Sequence, residues 1–251
     1  ALGYDAKPSP FPKNTVTVDG VERYRRIFAA RSYYNAYIFY GRYKSFEGAV
    51  DAVRSGGFAK LAHTLFGEQE LPYRIELKCE KGFEPKEGRR KAAENLAVMI
   101  DDANLGLVMS PSAYVFEAVI FITAKGILVT ILPSTDLDDR FAYKKEGIPA
   151  SIHPAAAAAC ISFIKENTYP DANVLDCFCG SGTMLFERAK LPYATLTGSD
   201  IAPAAIRIAR ANEKIAKTGT VFFAKNATHP FREKYDEVIC NMPFGLRVGS
   251  H

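Results

Sequence analysis

The chain is poor in the features that most quickly assign a protein to a class. It lacks an apolar run of bilayer length: the longest uncharged stretch, residues 147–164, is interrupted by Pro149, Ser151, His153 and Pro154, whereas a membrane span needs about 20 predominantly apolar residues. No basic, apolar, small-residue signal opens it. Neither membrane insertion nor export is indicated, and a cytoplasmic location is expected. Cysteines number five and sit within apolar runs, at 79, 160, 177, 179 and 240. An odd count without loop spacing argues against a disulfide framework and for reduced, structural thiols. Cys177 and Cys179 form a C-x-C pair, but no second pair or histidine cluster accompanies it, so no metal site is expected. The four histidines, at 63, 153, 229 and 251, are too scattered to suggest a Ser-His-Asp or Cys-His constellation. No internal repeat of about 20 to 50 residues is visible.

What is present is a globular composition. The 251 residues are 48% hydrophobic and 24% charged, too apolar for disorder and enough for one large or two smaller cores. Net charge is only +4, yet residues 21–60 hold eight Lys or Arg against three acids, so the basic excess is local.

Residues 1–13 carry Pro and Lys without periodicity and read as a tail. An amphipathic stretch over 21–30, an aromatic strand over 35–40 and a helical pattern over 45–66 suggest a small α/β unit, residues 1–70. A second unit, residues 71–135, begins with the period-two run 72–79. A helix over 87–101 follows, then strands 114–123 and 127–132 around the turn Ala124-Lys125-Gly126. Turn-formers and charge mark a linker over 136–147. From 148 to 251 the pattern alternates helix and buried strand, with strands near 173–178, 195–199, 221–224 and 237–240, as in a parallel sheet covered by helices.

Val174-Leu175-Asp176 ends a strand, Phe178 to Ser181 turn, and Gly182-Thr183 begin a helix, which places two glycines at a strand's carboxyl end, where open α/β sheets bind ligands. Gly180 and Gly182 let the backbone approach a ligand, and the amides of the helix start favour a carboxylate. Twenty-four residues after Asp176, Asp200 ends the next strand, where a carboxylate can accept ribose hydroxyls. Taken alone, the loop reads equally as a tight structural turn or another type of nucleotide site. Its pattern, D-x-F-x-G-S-G-T, departs from the glycine signatures of NAD and ATP sites.

Asp176-Cys177-Phe178-Cys179-Gly180-Ser181-Gly182-Thr183, followed by an apolar helix and Glu187, resembles the first motif of class I methyltransferases of the RNA-modifying branch, with Cys177 where the family usually has Pro. The resemblance implies S-adenosylmethionine as cofactor. It also implies that Asp176 and the loop Gly180-Ser181-Gly182 face its methionine part, with Phe178, Cys179 and Thr183 beside them as cofactor-binding residues, Asp200 the ribose, and Ile201 the adenine. Asn226-Ala227 stand where the family commonly has an adenine-binding Asp.

Asn241-Met242-Pro243-Phe244 follow the fourth strand. Alone they read as a strand and turn with a core Phe. In order after the loop and Asp200, they resemble the [ND]-P-P-[YF] motif of amino-methyltransferases, with Met242 replacing a Pro. The resemblance implies that the Asn241 oxygen and Met242 carbonyl accept from a base amine, that Pro243 stiffens the turn, and that Phe244 stacks on the base.

The extension through Ser250 is similar to tRNA guanine-N2 methyltransferases that carry a THUMP domain. On that resemblance residues 1–70 are expected to be ferredoxin-like, 71–135 a THUMP-like RNA-binding domain, and 148–251 a Rossmann-like methyltransferase domain. The implied substrate is tRNA, first the guanosine at position six of the acceptor stem, then an rRNA guanine. DNA amino-methylation and an RNA-binding protein with an inactive fold are the alternatives. Arg23, Arg25, Arg31, Arg42 and Lys44 read as phosphate contacts or a solvated face; Tyr33, Tyr34 and Tyr37 read as core. A monomer is expected. The family's sheet has more strands than the four here, so the chain is expected to be incomplete and to bind the cofactor weakly alone.

Overall fold

The computed structural model describes residues 5–9, 12, 15–21, 23–67, 69–134, 138–149 and 151–242. They fall into two units, Ala1–Ala29 with Asn35–Asp139, and Ala30–Tyr34 with Arg140–His251. The architecture is α/β throughout.

In the first unit β1 (Ala6–Pro8), in the stretch expected to be a tail, pairs antiparallel with β2 (Val16–Val18). The amphipathic stretch after them is a 3-10 helix, Tyr24–Ala29. The strand β3 (Ile38–Tyr43) precedes two helices, α1 (Phe46–Arg54) and α2 (Gly56–Phe66). The sequence pattern suggested one helix over 45–66. The break falls at Ser55, whose extended backbone and hydroxyl bond back to Ala52 O close α1 before two glycines restart the chain.

Then come β4 (Leu71–Cys79), α3 (Arg89–Asp101), β5 (Leu107–Met109), β6 (Phe116–Thr123) and β7 (Gly126–Pro133). They form a mixed sheet in the order β3-β7-β6-β4-β5. Period two places Leu71, Tyr73, Ile75 and Leu77 of β4 in the core, where Tyr73 and Phe116 stack and Phe58 packs beside them. Truncating Phe58, which is wholly buried, should cost about 3–5 kcal/mol.

This sheet crosses the boundary placed at residue 70. Ile38 pairs with Ile131 and Tyr43 with Ile127, and residues from α1, α2, β4 and β6 share one core. Residues 38–133 are therefore one body, because β3 has no sheet of its own and completes this one at its edge.

The second unit contains α4 (Pro154–Ile164), a 3-10 turn (Lys165–Asn167), β8 (Asn173–Asp176), α5 (Thr183–Arg188), β9 (Thr195–Asp200), α6 (Pro203–Ala216), β10 (Val221–Ala224) and β11 (Glu237–Val238). The strands are all parallel, in the order β10-β9-β8-β11. Chain order reverses on either side of β8, which makes the carboxyl ends of β8 and β11 the switch point of a Rossmann-like sheet. Leu185, Phe186, Leu196, Ile206, Ala209 and Phe222 fill the space between sheet and helices.

Three expectations fail in this unit. The segment expected to be a linker, 136–147, is structural from Arg140 on, with Tyr143 in the core. Arg31, expected among the phosphate contacts, instead meets Glu187 through two nitrogens at 2.8 and 2.9 Å. Glu187 is buried and also accepts the Tyr143 hydroxyl at 2.6 Å. Burial and the Glu187 charge push the Tyr143 hydroxyl far above its ordinary range. Arg140 lies 3.7 Å over the Tyr33 ring and donates to the carbonyls of Ala30, Tyr33 and Tyr34. Of the three tyrosines expected in a core, Tyr34 is exposed and stacks on His153 at 4.1 Å. No helix among the described residues is long and apolar enough to cross a membrane.

Candidate functional site

The glycine loop leaves β8 at Asp176, which is 1% exposed. Its carboxylate accepts the Phe178 amide at 3.0 Å, its one hydrogen bond among the described residues. Burial, reinforced by the Asp200 charge, pushes its pKa up to about 7 despite that bond. Asp200, at the end of β9, holds the loop from the other side: one oxygen accepts the Gly180 amide at 2.9 Å and the other the Ala202 amide at 2.9 Å. The acid placed on the ribose by sequence thus also fastens the loop.

The glycines are required by the turn. Gly180 has φ +52° and Gly182 φ +86°, left-handed values that other residues adopt only with strain. A Cβ on Gly182 would stand 2.7 Å from the Phe186 ring, and one on Gly180 3.0 Å from Ile148. The loop passes so close to its neighbours that hydrogen is the largest substituent accommodated.

Four amides of this loop are engaged within the turn. Phe178 N donates to Asp176, Cys179 N to Ser199 O, Gly180 N to Asp200 and Gly182 N to Cys179 O. The following helix α5 has only six residues. These four groups, which precede the helix, spend their hydrogens on the turn itself.

Residues outside the motif brace the loop. Asn212 of α6 donates to Ser181 O and Glu146 O, both at 3.1 Å. The Ser181 hydroxyl meets the Ser151 hydroxyl at 2.9 Å and that of Thr183 at 3.3 Å. Lys144 donates to Ser151 Oγ at 2.8 Å and Ile152 O at 2.7 Å. None of Lys144, Ser151 and Asn212 was legible as a site residue, because residues 136–147 resemble a linker, Ser151 is a lone serine ahead of a helix, and Asn212 is one polar residue on a helix.

The other expected residues lie at the same sheet edge. Ile201 follows Asp200 and is 68% exposed, an apolar surface open to a flat ligand. Asn226 lies beyond β10, and its side-chain oxygen is already engaged, accepting the Thr228 amide and hydroxyl at 2.9 Å each, while Ala227 beside it is partly buried. Cys179 is buried and its thiol is held far above the ordinary range by burial and the two acids.

β11 pairs with β8, Glu237 opposite Val174 and Val238 opposite Leu175, and the Ile239 amide continues the ladder to Leu175 O. Asn241 and Met242 therefore emerge beside the glycine loop, Asn241 partly buried and Met242 57% exposed. Pro243 and Phe244 lie outside the described residues. The donor set fits a nucleoside bearing a methionine: a buried acid beside the loop, a second acid at the next strand end and an exposed Ile after it.

Residues 142–251 match the family described as UPF0020, RMKL-like, methyltransferase domain. The ribosomal protein L11 methyltransferase of Dechloromonas aromatica is 36% identical over 91 residues, 36% of this chain and 29% of that protein. The same-named protein of Caldanaerobacter subterraneus subsp. tengcongensis is 32% identical over 84 residues, 33% of this chain and 27% of its own length. The chain thus spans under a third of these curated relatives. Among solved structures, TrmN from Thermus thermophilus is similar in fold with a TM-score of 0.64 at 19% identity, over 94% of this chain and 73% of its own. SMU.472, complexed with SAH, gives 0.65 at 18% identity over 98% and 76%. Residues 142–251 thus match an RMKL-like methyltransferase domain and share the Rossmann-like fold of these solved structures.

Proposed function

We propose that the protein methylates the exocyclic N2-amine of a guanosine in tRNA, first the guanosine at position six of the acceptor stem. The observation that carries the amine chemistry is the parallel pairing of β11 with β8, which brings Asn241 and Met242 to the edge where Asp176 and Asp200 stand. The cofactor supplies an electrophilic methyl group on a sulfonium. Asp176, the loop from Phe178 to Thr183, Asp200, Ile201 and the Asn226-Ala227 turn would hold it.

An exocyclic amine is a poor nucleophile because its lone pair is delocalised into the base. The Asn241 side-chain oxygen and the Met242 carbonyl would accept its two hydrogens, which turns the lone pair out of the ring plane, toward the methyl group. Pro243 would fix the turn and Phe244 would stack on the base. Most of the acceleration would then come from alignment. The first unit, with Arg23, Arg25, Arg42 and Lys44 as phosphate contacts, would serve as a ferredoxin-like and THUMP-like platform for RNA, positioning without selecting. The protein would act as a monomer in the cytoplasm.

The test is incorporation of labelled methyl groups by the full-length protein into separate pools of tRNA, rRNA, DNA and ribosomal protein, followed by mapping of the modified position. Label in a tRNA guanine is expected. Label confined to rRNA, DNA or protein would replace this substrate, and tRNA binding without label would leave an RNA-binding protein with an inactive fold.

A further inference from the structure

A zwitterion needs two opposite charges from its site, and the motif residues provide only one sign. Asp176 and Asp200 are the charged side chains of the loop and its anchor, and both are acids. They suit the ammonium and sulfonium of S-adenosylmethionine, not its carboxylate. The amides of Phe178, Cys179, Gly180 and Gly182 are engaged within the turn.

A cation stands next to this loop. Lys144 is half-buried, and its ammonium donates to Ser151 Oγ and to Ile152 O, two acceptors for three hydrogens. It has no carboxylate partner among the described residues. Burial without a counter-charge lowers its pKa. Ser151 in turn touches Ser181 at 2.9 Å, so the ammonium sits two hydrogen bonds from the glycine loop. Ile148, from the same segment, packs over Gly180. A partly desolvated cation without an anion is costly unless a ligand completes it.

We propose that Lys144 is the residue that recognises the α-carboxylate of the cofactor's methionine end, with Ser151 holding it against the loop. This rests on the S-adenosylmethionine site described above and adds the group that distinguishes the cofactor from nucleosides lacking the carboxylate. The charges then match end for end, acids toward the ammonium and sulfonium, Lys144 toward the carboxylate.

The experiment is calorimetric binding of S-adenosylmethionine and of its decarboxylated form, which keeps ammonium and sulfonium, to the full-length protein and to Lys144→Met and Lys144→Arg. The unaltered protein should prefer S-adenosylmethionine by about tenfold or more, the scale of one charge-assisted hydrogen bond. Lys144→Met should erase that preference by weakening S-adenosylmethionine alone, leaving the decarboxylated ligand within about twofold. Lys144→Arg should restore part of the preference. Equal weakening of both ligands by Lys144→Met would mean that the lysine only braces the loop and would overturn the proposal, as would an unaltered protein that does not discriminate between them. If the unaltered protein bound neither ligand, the cofactor site itself would fail, and this assignment with it.

Discussion

Arg188 and Glu237 form a two-pronged ion pair, Nε to Oε2 at 2.8 Å and Nη2 to Oε1 at 2.9 Å, with the Arg188 side chain wholly buried. It joins α5, behind the glycine loop, to β11, the strand that leads to Asn241. The remaining guanidinium hydrogens go to the carbonyls of Leu191, Pro192 and Tyr169. The glycine loop and the strand leading to Asn241 are therefore tied at their base. Glu237→Ala would leave the guanidinium buried without its counter-charge and should destabilise the unit by about 3–5 kcal/mol. Urea denaturation measures this, and a loss under about 1 kcal/mol would contradict the role. The Arg188 hydrogen bonds hold the Glu237 carboxyl below its ordinary range, so its contribution is present above the unfolded value and is lost as pH falls through the lower folded one.

Asp176 should act in the opposite sense. Its folded pKa of about 7 lies above the unfolded carboxylate value, so the folded chain disfavours the charged form. The associated stability is complete at acid pH and is lost as pH rises toward about 7. Without cofactor, Asp176→Asn should therefore melt higher than the unaltered protein at about pH 8, and the difference should shrink at about pH 5. The same change should weaken S-adenosylmethionine binding. Melting curves that keep the same difference at both pH values would rule this out.

Gly182→Ala adds a Cβ 2.7 Å from the Phe186 ring at φ +86°. A cost of about 1–3 kcal/mol from backbone strain alone is expected, with more from the collision. Chemical denaturation should show lower stability, and titration should show weaker cofactor binding because the turn shifts.

Asn241 and Asp200 should separate chemistry from binding. Asn241→Ala is expected to reduce methyl transfer by about 100-fold or more while cofactor affinity stays within a few-fold. Asp200→Ala, which removes the acceptor for Gly180 N and Ala202 N, should raise the cofactor dissociation constant by about tenfold or more. Calorimetry and single-turnover rates with the reverse pattern would exchange these roles.

Arg31 offers a check on how the basic stretch is interpreted. Because it pairs with buried Glu187, Arg31→Met should lower the melting temperature and leave RNA affinity nearly unchanged, whereas Arg42→Met should spare stability. A salt-dependent loss of RNA binding in the Arg31 variant would favour phosphate contact instead.

Local patterns carried much of this protein. The alternation of Leu71 to Cys79, the helix–strand alternation after 148 and the run from Asp176 to Thr183 are short-range signals, since side-chain periodicity and turn chemistry depend on nearby residues. Hence the strands, the parallel sheet and the position of the glycine loop were readable, and so was the order Asp176, Asp200, Asn241.

Pairing across distance was not readable. That β3 completes the sheet of β7, that Arg31 belongs with Glu187, and that Lys144 and Ser151 stand against Ser181 all join residues whose own surroundings look like an edge strand, a basic face and a linker. A polar residue carries no local mark of its distant partner, since the same lysine is solvated in a loop or half-buried beside a loop depending on what the chain brings to it. Sequence alone determined where the glycine-loop motif begins and ends; only the tertiary structure decided which charges surround it, because burial and counter-charge are properties of the packed chain.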